Sequence, residues 1–177
     1  MCIRDRDKIG GSASVKTDGT AWVWGSSQFG RLGLNESHQP APPGSPAGTS
    51  GRSSPSQLPG TDWSDVFLTE YFGMGVKTNG QLWMWGQIQY LGQNTAGTNH
   101  KSSPVQIPGT TWASVSAMYN SAFATKTDGS LWGWGSNYRY ELGQNALSPS
   151  PQAYYSSPIQ IGTDTTWSTT RGHISRG

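Results

Sequence analysis

One eleven-residue stretch, written three times, constrains this chain more than anything else in it. Residues 15–25 read Val-Lys-Thr-Asp-Gly-Thr-Ala-Trp-Val-Trp-Gly, and the pattern returns at 76–86 around Asn79-Gly80 and at 125–135 around Asp128-Gly129. Asp-Gly or Asn-Gly between two β-prone runs is the strongest short hairpin signal, and it predicts a type I′ turn with positive φ at both central residues. The second arm of each copy, such as Leu82-Trp83-Met84-Trp85, is apolar at every position. In a sheet, an unbroken apolar run means burial on both faces, as when one sheet lies between two others.

The rest of the chain repeats around this hairpin. Lys16 and Lys77 are 61 residues apart, and Lys77 and Lys126 are 49 apart, a spacing typical of propellers and other repeat architectures. Each hairpin is followed by a Leu-Gly pair (Leu32-Gly33, Leu91-Gly92, Leu142-Gly143), a loop of variable length, and Ser-Ser-Pro ending at Pro55, Pro104 and Pro158. A short run with a shared glutamine (Gln57, Gln106, Gln160) comes next, then a third tryptophan (Trp63, Trp112, Trp167). All nine tryptophans therefore occupy three slots repeated three times. That register argues for packing rather than ligand stacking, because stacked repeats share one continuous core.

Each unit holds four expected strands: A (65–69, 114–118), B (72–78, 121–127), C (the Trp-x-Trp arm) and D, following Ser-Ser-Pro. Proline offers the ladder no donor and marks D as an edge strand. Four-stranded units with doubly buried C arms fit propeller blades packed face to face around an axis. The expected fold is all-β, a partial β-propeller of about three four-stranded blades. Residues 1–8 form a non-repeat leader. Blade 1 covers 9–62, incomplete at its start and carrying a Pro-rich loop insert at 38–52. Blade 2 covers 63–111 and blade 3 covers 112–166, while 167–177 opens a fourth repeat and runs into an irregular tail.

The succession Lys-Thr-Asp/Asn-Gly-x-x-Trp-x-Trp-Gly, Leu-Gly, Ser-Ser-Pro-x-Gln and Trp-x-x-Val resembles the repeats of the regulator-of-chromosome-condensation family, in particular its Trp-rich bacterial and viral versions. The resemblance covers residues 12 to about 168. It implies a seven-bladed ring, of which this chain would be a part, and the family's nuclear branch implies guanine-nucleotide exchange. Terminal repeats normally carry a polar capping face, yet the first C arm (Ala21-Trp22-Val23-Trp24) is as apolar as the others. A piece of a longer protein is expected, with adjacent blades of the same parent chain as its neighbours.

Composition narrows the function. Only 12% of residues are charged and the net charge is +2, against roughly 25% charged in an average soluble domain. The 24 glycines and 11 prolines follow no collagen period and punctuate turns. Cys2 is the sole cysteine, so no internal disulfide forms and no CxxC metal pattern exists. No apolar run is long enough for a membrane span, and residues 1–8 lack the apolar core of a secretory signal. His38, His100 and His173 have no metal-ligand spacing. Asp62, Asp65 and Glu70 have no recurring partner of the kind that tuned catalytic carboxylates need. Lys16, Lys77 and Lys126 make one sparse row rather than the basic stripe of a nucleic-acid module. No catalytic, cofactor-binding or metal-binding residue is assigned.

The binding candidates lie elsewhere. Strand alternation sends the A–B turns and C–D loops to one face, and the B–C hairpins and D–A connectors to the other. All length variation falls in the C–D loops, at 33–53, 92–102 and 143–156. A constant scaffold with variable loops on one face is the usual form of a binding surface. The candidates there are Phe29, Arg31, Asn35, Gln87, Tyr90, Tyr138, Arg139, Tyr140, Glu141, Tyr154 and Tyr155, rich in the Tyr and Arg that anchor interfaces. The expected function is a non-enzymatic interaction module presenting these loops to a protein or surface glycan. Its rivals are a lectin-like propeller and, by resemblance, an exchange factor. The polar, weakly charged composition leans towards an extracellular, cell-surface or phage-particle protein, with no nucleic acid and no membrane span among its partners.

Overall fold

The computed structural model describes residues 12–36, 51–94, 100–144 and 154–170. The leader 1–8, most of the Pro-rich insert and the end of the tail lie outside the described residues. Within them, eleven strands form three antiparallel sheets and there is no α-helix. The first sheet is β1 (Ser12–Val15), β2 (Ala21–Ser26) and β3 (Gly51–Gln57), in that order. The second is β4 (Trp63–Leu68), β5 (Phe72–Lys77), β6 (Leu82–Gly86) and β7 (Lys101–Ile107). The third is β8 (Trp112–Met118), β9 (Ser121–Lys126), β10 (Leu131–Ser136) and β11 (Tyr154–Gln160). Each is a meander whose neighbours follow in sequence, and the sheets stack through β1 on β4 and through β4 and β5 on β8. Three propeller blades thus stand in succession, the first with strands B to D.

The hairpins form at the expected positions with a different turn. Val15 pairs with Ala21, Val76 with Leu82 and Thr125 with Leu131. Inside the first, Lys16 N donates to Thr20 O at 2.8 Å and Gly19 N to Lys16 O at 3.0 Å. Gly19, Gly80 and Gly129 have φ of 79°, 78° and 79°, while Asp18, Asn79 and Asp128 are not among the residues with positive φ. The loop is therefore three residues, a type I turn closed by a left-handed glycine, and not the two-residue I′ turn. The acidic side chain caps it: Asp18 Oδ1 accepts from Thr20 N at 2.9 Å and from Thr20 Oγ1 at 2.6 Å. Asp128 does the same with Ser130 at 2.9 and 2.6 Å.

The D strands also start earlier than expected, with Ser-Ser-Pro inside β3, β7 and β11 rather than before them. Each is an edge strand, and its pairing slips between Val23 and Gly25, Met84 and Gly86, and Gly133 and Gly135. A bulge on an edge is where a strand proline is tolerated.

The core runs between the blades. Phe72, Met74, Leu82, Met84, Leu91, Ile107, Val115 and Trp134 join one cluster across blades 2 and 3, and Ala21, Leu58, Trp63, Val66 and Trp85 join another across blades 1 and 2. The tryptophan slots differ in role. Trp63 and Trp112 are buried, stand edge-on to Trp85 and Trp134 at 6.1 and 6.2 Å, and donate to Pro59 O and Pro108 O. The first Trp of each C arm is half-buried under the hairpin lysine, with Lys16 Nζ 4.2 Å from the Trp22 ring, Lys77 Nζ 5.1 Å from Trp83 and Lys126 Nζ 3.9 Å from Trp132. That stack explains why lysine recurs at this slot.

Candidate binding face

The loop face is built from the A–B turns and from the C–D loops that follow β2, β6 and β10. The first two C–D loops bind the blade that follows. Asn35 N donates to Ser102 O at 2.8 Å and Asn35 Oδ1 accepts from Ser103 Oγ at 3.0 Å. Asn94 repeats the contact with Ser156 O at 2.7 Å and Ser156 Oγ at 3.2 Å. Both asparagines have positive φ, 58° and 50°, a conformation asparagine tolerates better than most residues. Leu-Gly is therefore the front of a longer clamp, Leu-Gly-x-Asn.

Arg31 and Tyr90 share one slot, before Leu-Gly, and both are inside the protein. Arg31 is fully buried, with Nε donating to Ser26 O at 2.8 Å and Nη1 to Glu70 O at 2.7 Å on the A–B turn of blade 2. Its own carbonyl accepts from Trp85 Nε1 at 2.6 Å. Burial pushes the guanidinium pKa down and the nearby Glu70 pushes it back up. Tyr90 is 3% exposed, packed between Tyr71 and Phe72 of its own blade and Tyr154 of the next. Neither side chain is placed to touch a partner. Glu141, in the same slot of blade 3, is half-buried and accepts from Arg139 N at 2.8 Å.

Of the other candidates, Phe29, Tyr138 and Tyr154 lie with Tyr90 along a row of aromatic rings crossing all three blades. His100 meets Phe29 edge-on at 5.0 Å, Phe29 meets Tyr71 at 5.8 Å, Tyr71 meets Tyr90 at 5.8 Å, Tyr90 meets Tyr154 at 5.7 Å, and Tyr154 meets Tyr138 edge-on at 5.2 Å. Burial is the main cause that raises the hydroxyl pKa of Tyr71, Tyr90 and Tyr154, moving it further from the neutral range in which a phenol is already protonated. Burial lowers the pKa of His100, which favours its neutral form. Gln87 and Tyr155 are half-buried, with Gln87 N donating to Tyr71 O at 2.9 Å, and Arg139 is exposed. Three tyrosines stand out into solvent: Tyr119, Tyr138 and Tyr140, at 58, 62 and 65% exposure.

Tyr71, Tyr119, Glu70 and His100 were not among the expected face residues. Tyr71 and Tyr119 sit in A–B turns, which strand alternation sends to this face, and that alternation was the signal that could have included them. Among the described residues no group of three or more His, Cys, Asp or Glu gathers as a metal site, and no helix is long and apolar enough to cross a membrane. The opposite face has a shallow open cleft lined by Lys16, Asp18, Asp62 and Trp63, where Lys77 Nζ pairs with Asp62 at 2.9 Å.

Blades of this build, with a Lys–Trp stack, a capped hairpin and a clamp to the next blade, define a repeat β-propeller. The solved structures similar to it are propellers of the regulator-of-chromosome-condensation type, and that is the fold of this chain. Human WBSCR16 superposes with a TM-score of 0.67 at 16% identity, over 86% of this chain and 37% of its own. Prp20p of Saccharomyces cerevisiae, a structure described together with its binding to Gsp1p and histones, gives 0.71 at 18% identity over 89% and 37%. Yeast Prp20 in complex with Kap60 gives 0.68 at 18% over 89% and 36%. The chain thus spans a little over a third of the structures it matches. No family model matches the sequence, and no curated protein does.

Proposed function

We propose that this chain is a non-catalytic binding scaffold, each sheet one repeat unit within 9–62, 63–111 and 112–166, that holds a protein partner on its loop face. The observation that carries this is the row of rings ending in exposed Tyr138. Tyrosine and tryptophan supply large, stiff contact area at low entropic cost, and such residues anchor interfaces. A rigid β scaffold beneath loops of unequal length supports the same reading, as does the binding of other proteins by the yeast relative. The weak overall charge suits a surface or particle protein of a bacterium or phage. The exchange activity of the family's nuclear branch is a separate reading, tested by nucleotide release from a small GTPase.

The test is photo-crosslinking in an extract of the source cells. A photoreactive phenylalanine analogue replaces Tyr138 on the loop face or, as a control, Thr78 on the hairpin face. Adduct formation with one protein from Tyr138 and none from Thr78 is expected. Adducts only from Thr78, or no protein adduct from either site, would overturn the assignment.

A further inference from the structure

The hairpin face carries a site of another kind, at the tip of the blade 2 hairpin. Asn79-Gly80 is the one Asn-Gly pair in the chain, where the hairpins of blades 1 and 3 have Asp-Gly. Asn79 is exposed, and its Oδ1 accepts from Gln81 N at 3.1 Å. Glycine has no side chain to shield its backbone nitrogen, so Gly80 N is well suited to attack the side-chain amide that precedes it. The turn aspartates of the other blades are poor targets, because a carboxylate repels an attacking nitrogen anion.

The fold holds this nucleophile back. Asn79 stands at the third position of a type I turn, and Gly80 N donates to Lys77 O at 2.9 Å. Closing a five-membered imide requires that bond to break and Gly80 N to swing onto the side-chain side of Asn79. The residues on both sides are pinned as well. Thr78 N donates to Asp62 O at 2.8 Å, and Gly80 O accepts from Trp112 N at 3.1 Å. A Cβ on Gly80 would overlap the Thr110 carbonyl, so the glycine is pressed against the connector into blade 3 and cannot turn in place.

We infer that Asn79 is a site of spontaneous deamidation, exposed to the reaction when the hairpin tip lifts off blade 3, and that its isoaspartyl product cannot be reseated there. Hydroxide removes the Gly80 amide proton and the nitrogen bonds to Asn79 Cγ. The Cγ–Nδ2 bond then breaks, and the leaving nitrogen takes a proton from water to depart as ammonia. Nothing is oxidised or reduced. Water opens the ring in one of two ways. Attack at Cγ restores the main chain and leaves aspartate, the residue type that caps the other two hairpins as Asp18 and Asp128. Attack at the Asn79 main-chain carbonyl carbon leaves isoaspartate, whose main chain runs through Cβ and Cγ and is longer by one carbon. That extra atom falls between Thr78 and Gly80, both held by hydrogen bonds to connectors.

The test ages the 177-residue protein at mildly alkaline pH across a series of urea concentrations. Mass spectrometry of its peptides follows each asparagine, and enzymatic methylation counts the isoaspartate. Asn79 should lead all other asparagines. Its rate in buffer should lie more than about tenfold below that in denaturing urea, as two hydrogen bonds of ordinary net strength imply. The rate should climb already below the unfolding transition, with a shallower slope than global unfolding, because lifting one hairpin tip exposes little surface. Refolded protein carrying isoaspartate should melt below wild type, whereas the Asn79→Asp variant should melt no lower than wild type. Equal rates in buffer and urea would overturn the inference, as would a rate that tracks only the globally unfolded fraction. Faster loss at another asparagine, no loss from Asn79 even in urea, or an isoaspartyl form that melts like wild type would overturn it too.

Discussion

At Trp83 one hydrogen bond is missing that the other two blades make. Trp22 Nε1 donates to Thr20 Oγ1 at 3.0 Å and Trp132 Nε1 to Ser130 Oγ at 2.9 Å. Both hydroxyls in turn donate to the turn aspartate. Blade 2 has Gln81 and Asn79 at these positions, and its Trp83 Nε1 is buried with no partner among the described residues. Replacing Gln81 by Thr together with Asn79→Asp should rebuild the relay and stabilise the protein by about 0.5–1.5 kcal/mol. Denaturant melts of the single and double variants check this. Equal stability of wild type and double variant would show that the indole N–H is not a liability. The same scale shows what the sequence conceals. One slot holds Arg31, Tyr90 and Glu141, and nothing in the residue types says that the first two are inside and the third half-exposed. Contact with the following blade decides it, and that contact joins residues far apart in the chain.

At the scale of the element, each B–C hairpin is half of a joint. The turn glycine carbonyl accepts the backbone N–H of the next unit's first tryptophan, Gly19 from Trp63 at 3.0 Å and Gly80 from Trp112 at 3.1 Å. Thr78 N and Thr127 N donate to Asp62 O and Thr111 O, both at 2.8 Å. A Cβ on Gly80 would overlap the Thr110 carbonyl, whereas Gly162, also at positive φ, has open space around it. Gly162→Ala should therefore lose only the backbone preference, about 1 kcal/mol, and Gly80→Ala distinctly more, about 2–3 kcal/mol. Thermal melts compare the two, and equal losses would mean that the joint yields without cost. The hairpins, their register and the four-strand order were legible because Asp/Asn-Gly and the apolar arms are local signals. The turn type was not, since Asp-Gly suits both loops and the choice rests on a glycine that must pass under the next blade's connector. The start of the D strands was hidden for a related reason. Proline reads as a strand boundary until a bulge on the edge lets it sit inside.

For the whole molecule, exposure tracks position along the stack. Trp63 and Trp112 are 2 and 3% exposed, while Trp167 in the same slot is 45% exposed. Trp85 and Trp134 are fully buried, and Trp24, their counterpart in blade 1, is half-buried. Both outer faces of the three-blade stack thus show rings that an adjoining blade would cover, and patches of that kind drive contact between molecules. Sedimentation of the isolated 177 residues should therefore show association that grows with concentration. A monomer that melts in one cooperative step would show instead that the outer faces are stable bare. The joint between blades also orders events in time. Trp167 N already donates to Gly129 O at 3.2 Å, as Trp63 and Trp112 do to the hairpins before them. A chain leaving the ribosome completes each hairpin before the strand that hairpin will hold has emerged, and domains fold N-terminal first during synthesis. Every new blade then begins on a surface that is already folded, so the stack lengthens in the order in which it is translated.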